Sequence, residues 1–302
     1  MVNTSMKIYI LSPYLGSGGP RALHNLCDTC IQLGLDAYIC YFYENPKNIT
    51  TIYPEFSNYN INVVKKEDIE QNSRNWIIIP EYGPWVSTLD LFKNMKRAYW
   101  WLSVDNNQNM FKEWDNNNIL HLYQTTYSLM HIIKNNGKIY LPLMDPIHDD
   151  YFRIANLNKE NIICYNPLKD KLTPTIKHLF NYESIPLIKL SRRDVFNTLQ
   201  KSKIYIDFGH HPGRENIPRE ACILRNIIIT TSQRGSAQYF DDMPISPDYK
   251  FKDDEIEKIV NTVNNCIINY DTKIKEFRIY RNLIRGQKNI FHEHIKQIFK
   301  NE

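Results

Sequence analysis

Short apolar runs that end in polar tips recur through this chain in two separate series, with helical patterns between several of them. In the first series, residues 7–11 (KIYIL) are followed by Gly16-Ser17-Gly18-Gly19-Pro20. Leu23, Leu26, Cys27, Cys30, Ile31 and Leu33 then recur at helical spacing before Gly34. Further runs cover residues 37–43, 75–80, 97–104, 119–123 and 139–143. The second series has runs at 161–165, 185–190, 204–208 and 227–231, with helical stretches at 173–180, 193–200 and 219–224. A strand that is apolar along its whole length is covered on both faces, and alternation with helices builds a parallel sheet. Two such series predict two Rossmann-like α/β domains. The hinge is expected near residues 143–158, a polar stretch beside Pro142 and Pro146, which gives domains 1–147 and 148–302. From Asp253 onward only helices are expected, with Ile256, Ile259, Val260, Val263, Cys266 and Ile267 forming one apolar stripe.

Bulk properties narrow the function classes. A length of 302 residues suits two domains with a core each. Hydrophobic residues at 42% and charged residues at 23% describe a folded chain, not a disordered one. The net charge of +4 suits an anionic ligand and is compatible with peripheral contact with an acidic membrane. No block of consecutive Lys or Arg provides the backbone-binding stripe a nucleic-acid partner needs. The first residues lack a secretory pattern, and no apolar run approaches the roughly 20 residues that span a bilayer. Cys27, Cys30, Cys40, Cys164, Cys222 and Cys266 are scattered and form no disulfide ladder, so a cytoplasmic protein with reduced thiols is expected.

Several constellations can carry chemistry. Gly18 and Gly19 sit between the first strand and first helix, where glycine admits a ligand close to the backbone and the helix start offers free N–H groups to an anion. The stretch DFGHHPGRENIPRE, residues 207–220, follows a strand and enters a helix. Its Gly213, Arg214 and Asn216 can hold a diphosphate, and Glu220 can grip a ribose or sugar hydroxyl. After the next strand, TTSQRGSA places Arg234, Gly235 and Ser236 at its tip. Asn166, Lys169 and Lys171 follow the second domain's first strand, where a lysine can neutralise phosphate. Glu81, Tyr82, Ser103, Asp105 and Asn106 stand at first-domain strand tips, the edge where open α/β sheets bind ligands. Trp100 and Trp101 read as core in preference to a sugar platform. No metal site is expected. Cys27 and Cys30 fall on an apolar helix face, His210 and His211 lack partners at ligand spacing, and no D-x-D occurs.

The order of glycine loop, first Rossmann-like half, second half and a strand–loop–helix carrying Glu220-Ala221 resembles the GT-B glycosyltransferases. Within them it resembles the retaining group with two glutamates about eight positions apart, whose second glutamate contacts the nucleotide ribose. Here the first falls at Pro212, a departure for which Arg214, Glu215 and the neighbouring His are the local substitutes. The chain is also similar to glycosyltransferases with YNP-x-K (165–169), YIDFG-x-HPG (205–213), IPREA (217–221), RGSA (234–237) and a Pro-Ile-Pro stretch, here PISP (244–247).

The resemblance implies two Rossmann-like domains facing each other across a cleft. It also implies a metal-independent transferase that takes a UDP- or GDP-linked sugar as donor substrate and a glycan or lipid-linked acceptor. Lys169, Lys171, Arg214, Arg234 and the amides near Asn216 would stabilise the leaving diphosphate. Glu220 would hold the ribose, and Gly18 and Gly19 would face the sugar. Asp105, Glu81 and His211 are the catalytic candidates, a general base being needed only for inversion. The rival expectations are a nucleotide-sugar-binding protein that has lost transfer and a GT-B-like nucleotide-sugar epimerase.

Overall fold

The first series of runs folds into a seven-stranded sheet in which every pairing is parallel. The structure is a computed structural model that describes residues 5–42, 49–81, 86–107, 118–153 and 158–300. The elements in chain order are β1 (Lys7–Ser12), α1 (Gly18–Gln32), β2 (Asp36–Tyr41), β3 (Asn62–Val64), β4 (Trp76–Pro80) and α2 (Val86–Leu89). β5 (Lys96–Trp101), β6 (Ile119–Tyr123), α3 (Thr126–Lys134) and β7 (Tyr140–Pro142) follow. The strand order is β3-β2-β1-β4-β5-β6-β7, so connections reverse direction between β1 and β4. The carboxyl tips of those two strands therefore flank the crevice where sheets of this kind bind ligands.

Successive residues of the central strands supply opposite faces of this sheet. Ile8, Ile10, Ile78, Ala98 and Trp100 enter one core. Tyr9, Leu11, Ile77, Ile79, Tyr99 and Trp101 enter another. Trp100 and Trp101 are both fully buried, so they are core, as expected. The Trp100 indole N–H donates to the Leu143 carbonyl at 3.0 Å, and that of Trp101 to His121 Nδ1 at 3.1 Å. Cys27 and Cys30 are likewise fully buried on α1, and all six cysteines are free thiols.

The second series forms a five-stranded parallel sheet. Its elements are β8 (Glu160–Tyr165), α4 (Thr173–Ile176), β9 (Glu183–Pro186), α5 (Arg192–Lys201), β10 (Ser202–Asp207), α6 (Asn216–Ile223), β11 (Ile227–Thr231) and β12 (Lys250–Phe251). The helices α7 (Ile256–Ile268), α8 (Tyr270–Lys273) and α9 (Arg278–Phe299) complete the chain. The order β12-β11-β10-β8-β9 reverses between β8 and β10, which puts a second ligand-binding crevice at their tips. No helix among the described residues is long and apolar enough to cross a membrane.

Two compact units result. One comprises Met1–Gln124, Ser128–Asp145 and Lys288–Glu302; the other comprises Thr125–Tyr127 and Pro146–Gln287. One division between the units falls between Asp145 and Pro146. The last fifteen residues, however, belong to the first unit and not to the second, where domain 148–302 had placed them. The reason is apolar: Phe291, Ile295, Ile298 and Phe299 of α9 join the core of Ile8 and Trp100, with Phe291 stacked on Trp100 at 6.5 Å. The run at 185–190 is also corrected, since β9 ends at Pro186 and Lys189 turns to φ 54°.

Candidate functional site

In the second unit, the loops after β8, β10 and β11 meet at the carboxyl edge of the sheet. Asp207 ends β10, with its side chain almost completely buried. One carboxylate oxygen accepts from the Tyr205 hydroxyl at 2.8 Å and the other from Gly209 N–H at 2.9 Å. His211 lies against it with Nε2 3.7 Å from Asp207 Oδ1, and neither ring nitrogen has a hydrogen-bond partner. Burial alone would raise the Asp207 pKa, but His211, Tyr205 and the Gly209 amide outweigh it and hold the carboxyl below its usual range. Burial likewise works to lower the His211 pKa, and the Asp207 carboxylate overrides it, raising the imidazole above its ordinary value. Both directions describe an ion pair sealed inside the unit. His211, the residue expected as a catalytic group, is 1% exposed and packs inside the loop.

Close approaches hold these loops together. A Cβ built on Gly209 would lie 2.7 Å from Lys169 Cβ, so only glycine lets the β10 loop press on the β8 loop. Gly235 has φ 60°, and a Cβ there would lie 2.0 Å from the His211 carbonyl oxygen. Next to it, Ser236 N–H donates to the His211 carbonyl at 2.8 Å, and Ser236 Oγ–H to the Gly213 carbonyl at 2.7 Å. Arg234 donates from Nη1 to the Phe208 carbonyl at 2.6 Å and pairs through Nη2 with Asp253. In the β8 loop, Asn166 Oδ1 accepts from Leu168 N–H at 3.2 Å, and buried Asp170 accepts from the amides of Leu172 and Thr173.

The result is a pocket of about 370 Å³ lined by Lys169, Lys171, Leu172, Thr175, His210, Arg234 and Asp253. It combines three permanent cations with one carboxylate, and a polyanion suits that balance. Lys169 also reaches Glu215 at 2.7 Å, at the start of α6. The His210 ring meets Tyr127 edge-on with centroids 5.9 Å apart.

Arg219 fixes the way the chain enters α6. It is 2% exposed and donates to the carbonyls of Glu215 at 3.1 Å and Arg214 at 3.0 Å, to Asn216 Oδ1 at 2.6 Å and to Gln287 Oε1 at 2.9 Å. Its guanidinium thereby sets where Arg214, Glu215 and Asn216 stand. Glu220, one residue on, is buried.

Sequence reasoning thus named four of the pocket's seven lining residues or their immediate loop: Lys169, Lys171, Arg234 and the His210-His211 pair. Asn166, Gly213, Arg214, Asn216, Glu220, Gly235 and Ser236 do not line it; they belong to the loops and helix start that build it. Missed were Leu172, Thr175 and Asp253 at the wall, and Asp170 and Arg219 behind it. Asp253 follows β12, which gave no strand signal, and Arg219 resembled any charged helix residue.

In the first unit, Gly18 and Gly19 form the first turn of α1 after the extended residue Ser17, at the β1 tip. On the same helix, neutral His24 donates from Nδ1 to the Pro20 carbonyl at 2.6 Å and accepts at Nε2 from the Tyr41 hydroxyl at 2.8 Å. Burial pulls its pKa down to about 4, so the network stays neutral and fixes this first turn. Asp105 is exposed in the turn Val104–Asn107 after β5. Tyr82 lies outside the described residues.

Glu81 follows β4 and is 4% exposed. It accepts from Leu102 N–H at 2.8 Å and Asn106 Nδ2 at 3.1 Å, tying the β4 and β5 tips together. Burial raises its pKa from 4.5 to about 7 against those hydrogen bonds. A raised folded-state pKa contributes stability that is complete below the unfolded value of 4.5 and lost as pH rises through about 7. Glu81→Gln cannot ionise, so its thermal stability is expected to fall less than wild type's between about pH 4.5 and 7. Parallel pH–melting curves for the two proteins would show that Glu81 does not titrate there.

No protein-family model matches the chain. Reticulocyte-binding protein homolog 1 of Plasmodium falciparum is 29% identical over 178 residues. That match takes in 56% of this chain and 5% of that protein, so the chain spans only a small part of its relative's length. Among solved structures, a glycosyltransferase from Rickettsia africae superposes with a TM-score of 0.68 at 16% identity, over 99% of this chain and 100% of that one. TarM gives 0.73 at 9% identity over 99% of both chains. HepE of Anabaena, solved in complex with UDP and glucose, gives 0.70 at 11% identity over 98% of this chain and 100% of that one. At such identities the likeness is one of fold: the chain has the α/β GT-B fold, with C-terminal helices, that its sequence implied.

Proposed function

We propose that the chain is a glycosyltransferase that moves a sugar from a UDP- or GDP-linked donor to a glycan or lipid-linked acceptor. The observation that carries this reading is the cationic pocket of Lys169, Lys171 and Arg234 at the β8–β10 switch point, on a GT-B fold. The reaction breaks the bond between the anomeric carbon and the diphosphate oxygen, whose electron pair leaves with the diphosphate. The acceptor oxygen bonds to the anomeric carbon and gives up its proton. Charge builds on the diphosphate as an oxocarbenium-like centre develops. Preorganised cations stabilise that charge without reorganising during the reaction. In this reading Lys169, Lys171, Arg214 and Arg234 take the role a divalent ion plays in metal-dependent transferases.

The start of α6 carries Asn216 and its free amides toward the phosphates, and Glu220 holds the ribose. Asp105, exposed after β5, is the carboxylate that takes the acceptor proton if transfer inverts. Glu81, buried and already accepting two hydrogen bonds, serves as a positioning residue.

Incubation of the purified chain with UDP- and GDP-hexoses, with and without glycan acceptors, tests the proposal. Acceptor-dependent release of UDP or GDP is expected. Conversion of the donor to another nucleotide sugar without acceptor would instead identify an epimerase, and binding with no turnover on any acceptor would identify a non-catalytic binder.

A further inference from the structure

The second unit holds another cavity, of about 300 Å³, lined by His148, Asp150, Tyr151, Arg192, Arg193 and Phe196. It shares no lining residue with the Lys169–Arg234 pocket. Two pieces of chain build it: the turn Asp149–Phe152 with the preceding His148, and the first turns of α5.

The aromatic wall of this cavity is fixed. Tyr151 is 6% exposed and belongs to the core of the second unit. Phe196, half-buried, packs on it with ring centroids 5.4 Å apart. An apolar wall with a few polar groups placed around it is the usual make-up of a small-molecule site. A volume of about 300 Å³ stands at the small end for such sites, so the occupant is a single ring with its substituent.

The polar wall is weighted toward cations. Arg192 and Arg193 are the first two residues of α5, and both are exposed at the cavity. Asp150 is the one carboxylate among the six lining residues, and both of its oxygens have neighbours of their own. Oδ2 lies 3.2 Å from His148 Nδ1, and Oδ1 lies 3.4 Å from Nη1 of Arg153, which is not a lining residue. On α5 itself, the Asp194 carboxylate accepts from the Ser191 hydroxyl at 2.6 Å, and the Asp194 amide donates to Ser191 Oγ at 3.1 Å. Arg193 has no hydrogen bond or ion pair among the described residues. A helix start favours negative groups, so two guanidiniums there are relieved when an anion joins them. The planar fork of arginine matches phosphate oxygens in pairs.

We propose that this cavity binds the phosphate monoester of a single sugar or cyclitol ring, with the phosphate on Arg192 and Arg193 and the ring against Phe196 and Tyr151. Asp150 is placed to accept from a ring hydroxyl. A soluble ring phosphate and the headgroup of a phosphoinositide lipid both present this chemistry.

The test uses the full chain with inositol 4-phosphate, inositol and inorganic phosphate, followed by calorimetry. Vesicles of phosphatidylcholine, with and without phosphatidylinositol 4-phosphate, are followed by co-sedimentation. Inositol 4-phosphate is expected to bind more tightly than inorganic phosphate, and inositol not to bind. Arg192→Gln/Arg193→Gln removes two exposed guanidiniums and is expected to weaken inositol 4-phosphate at least about tenfold. Phe196→Leu keeps an apolar side chain, and is expected to weaken inositol 4-phosphate about threefold and leave inorganic phosphate unchanged. Lys169→Ala/Lys171→Ala is expected to change neither. Co-sedimentation that needs phosphatidylinositol 4-phosphate and is lost in Arg192→Gln/Arg193→Gln assigns the site to a lipid headgroup; binding of the free ester without co-sedimentation assigns it to a soluble ligand. A folded wild type that binds neither the ester nor the lipid overturns the proposal. So does equal affinity for inorganic phosphate and inositol 4-phosphate, or binding that survives Arg192→Gln/Arg193→Gln or is lost in the lysine variant. None of these readouts depends on sugar transfer, so failure of the proposed activity and failure of this site are distinguishable.

Discussion

Gly235→Ala is expected to destabilise the second unit by about 3 kcal/mol or more and to abolish nucleotide binding. Two costs add. The left-handed conformation at φ 60° penalises any Cβ by about 1–2 kcal/mol. The new methyl carbon also falls 2.0 Å from the His211 carbonyl oxygen and 2.5 Å from its carbon, and relieving such overpacking typically costs about 1–3 kcal/mol. The atoms in the way are backbone, so no side chain can swing aside. The loop at 209–213 must move, and with it the Ser236 bonds to His211 and Gly213. Gly19→Ala is the contrasting case. Its Cβ would meet only Leu102 Cδ1, at an ordinary 3.8 Å. That substitution is expected to leave stability unchanged or raise it by about 0.5 kcal/mol, by restricting the unfolded chain. If Gly19 serves the transferred sugar, its replacement lowers transfer alone. Melting curves of the two variants check both expectations, and equal stabilities would contradict the close packing of Gly235 on His211.

Arg219→Met is expected to be the next most damaging change, lowering stability by about 3 kcal/mol and weakening nucleoside diphosphate affinity at least about tenfold. Methionine matches the length of the arginine stem but supplies no donors. Two backbone carbonyls, Asn216 and Gln287 lose hydrogen bonds from a charged group, each typically worth about 1.5–3 kcal/mol. Relief from burying the guanidinium offsets part of that loss. The effect on affinity follows because Arg219 holds Arg214, Glu215 and Asn216 at the start of α6. Arg219→Lys is expected to rescue little, since one ammonium cannot reproduce the planar fork. Chemical denaturation and nucleotide titration of both variants test this. Full stability in Arg219→Met would mean that the α6 start holds itself.

Elements whose residues are buried on both faces were legible from sequence. β6 and β11 occupy the expected ranges end to end, because continuous apolar runs of that length are natural to central parallel strands. β3 and β12, three and two residues long, sit at sheet edges and carry too little pattern to register. α6 begins at Asn216, three residues before the expected start, and Pro218 falls in its first turn, where a missing N–H costs nothing. The end of α9 was readable as a helix, but nothing in its apolar spacing says which unit's core receives Phe291 and Phe299.

The candidate site was legible in kind: the loops were found because glycine, arginine and lysine cluster after strands. Which member plays which part was not. His211 carries the residue type of a catalytic group, and its sequence gives no sign that its side chain is buried or that its backbone packs on Gly235. Asp253 stands 19 positions from the Arg234 it pairs with, a contact that no local pattern encodes.

The central claim is a nucleoside diphosphate site at the tips of β8, β10 and β11. Its most direct test is thermal denaturation with UDP, GDP or NAD, on wild type and on Lys169→Ala/Lys171→Ala, which alters two exposed pocket lysines. A ligand at one hundred times its Kd stabilises the folded form by about 2.7 kcal/mol. Wild type is therefore expected to melt several degrees higher with UDP or GDP and unchanged with NAD, and the double variant to lose most of that shift while melting normally alone. A wild type that responds to neither UDP nor GDP, or a double variant that responds as strongly, would contradict the assignment.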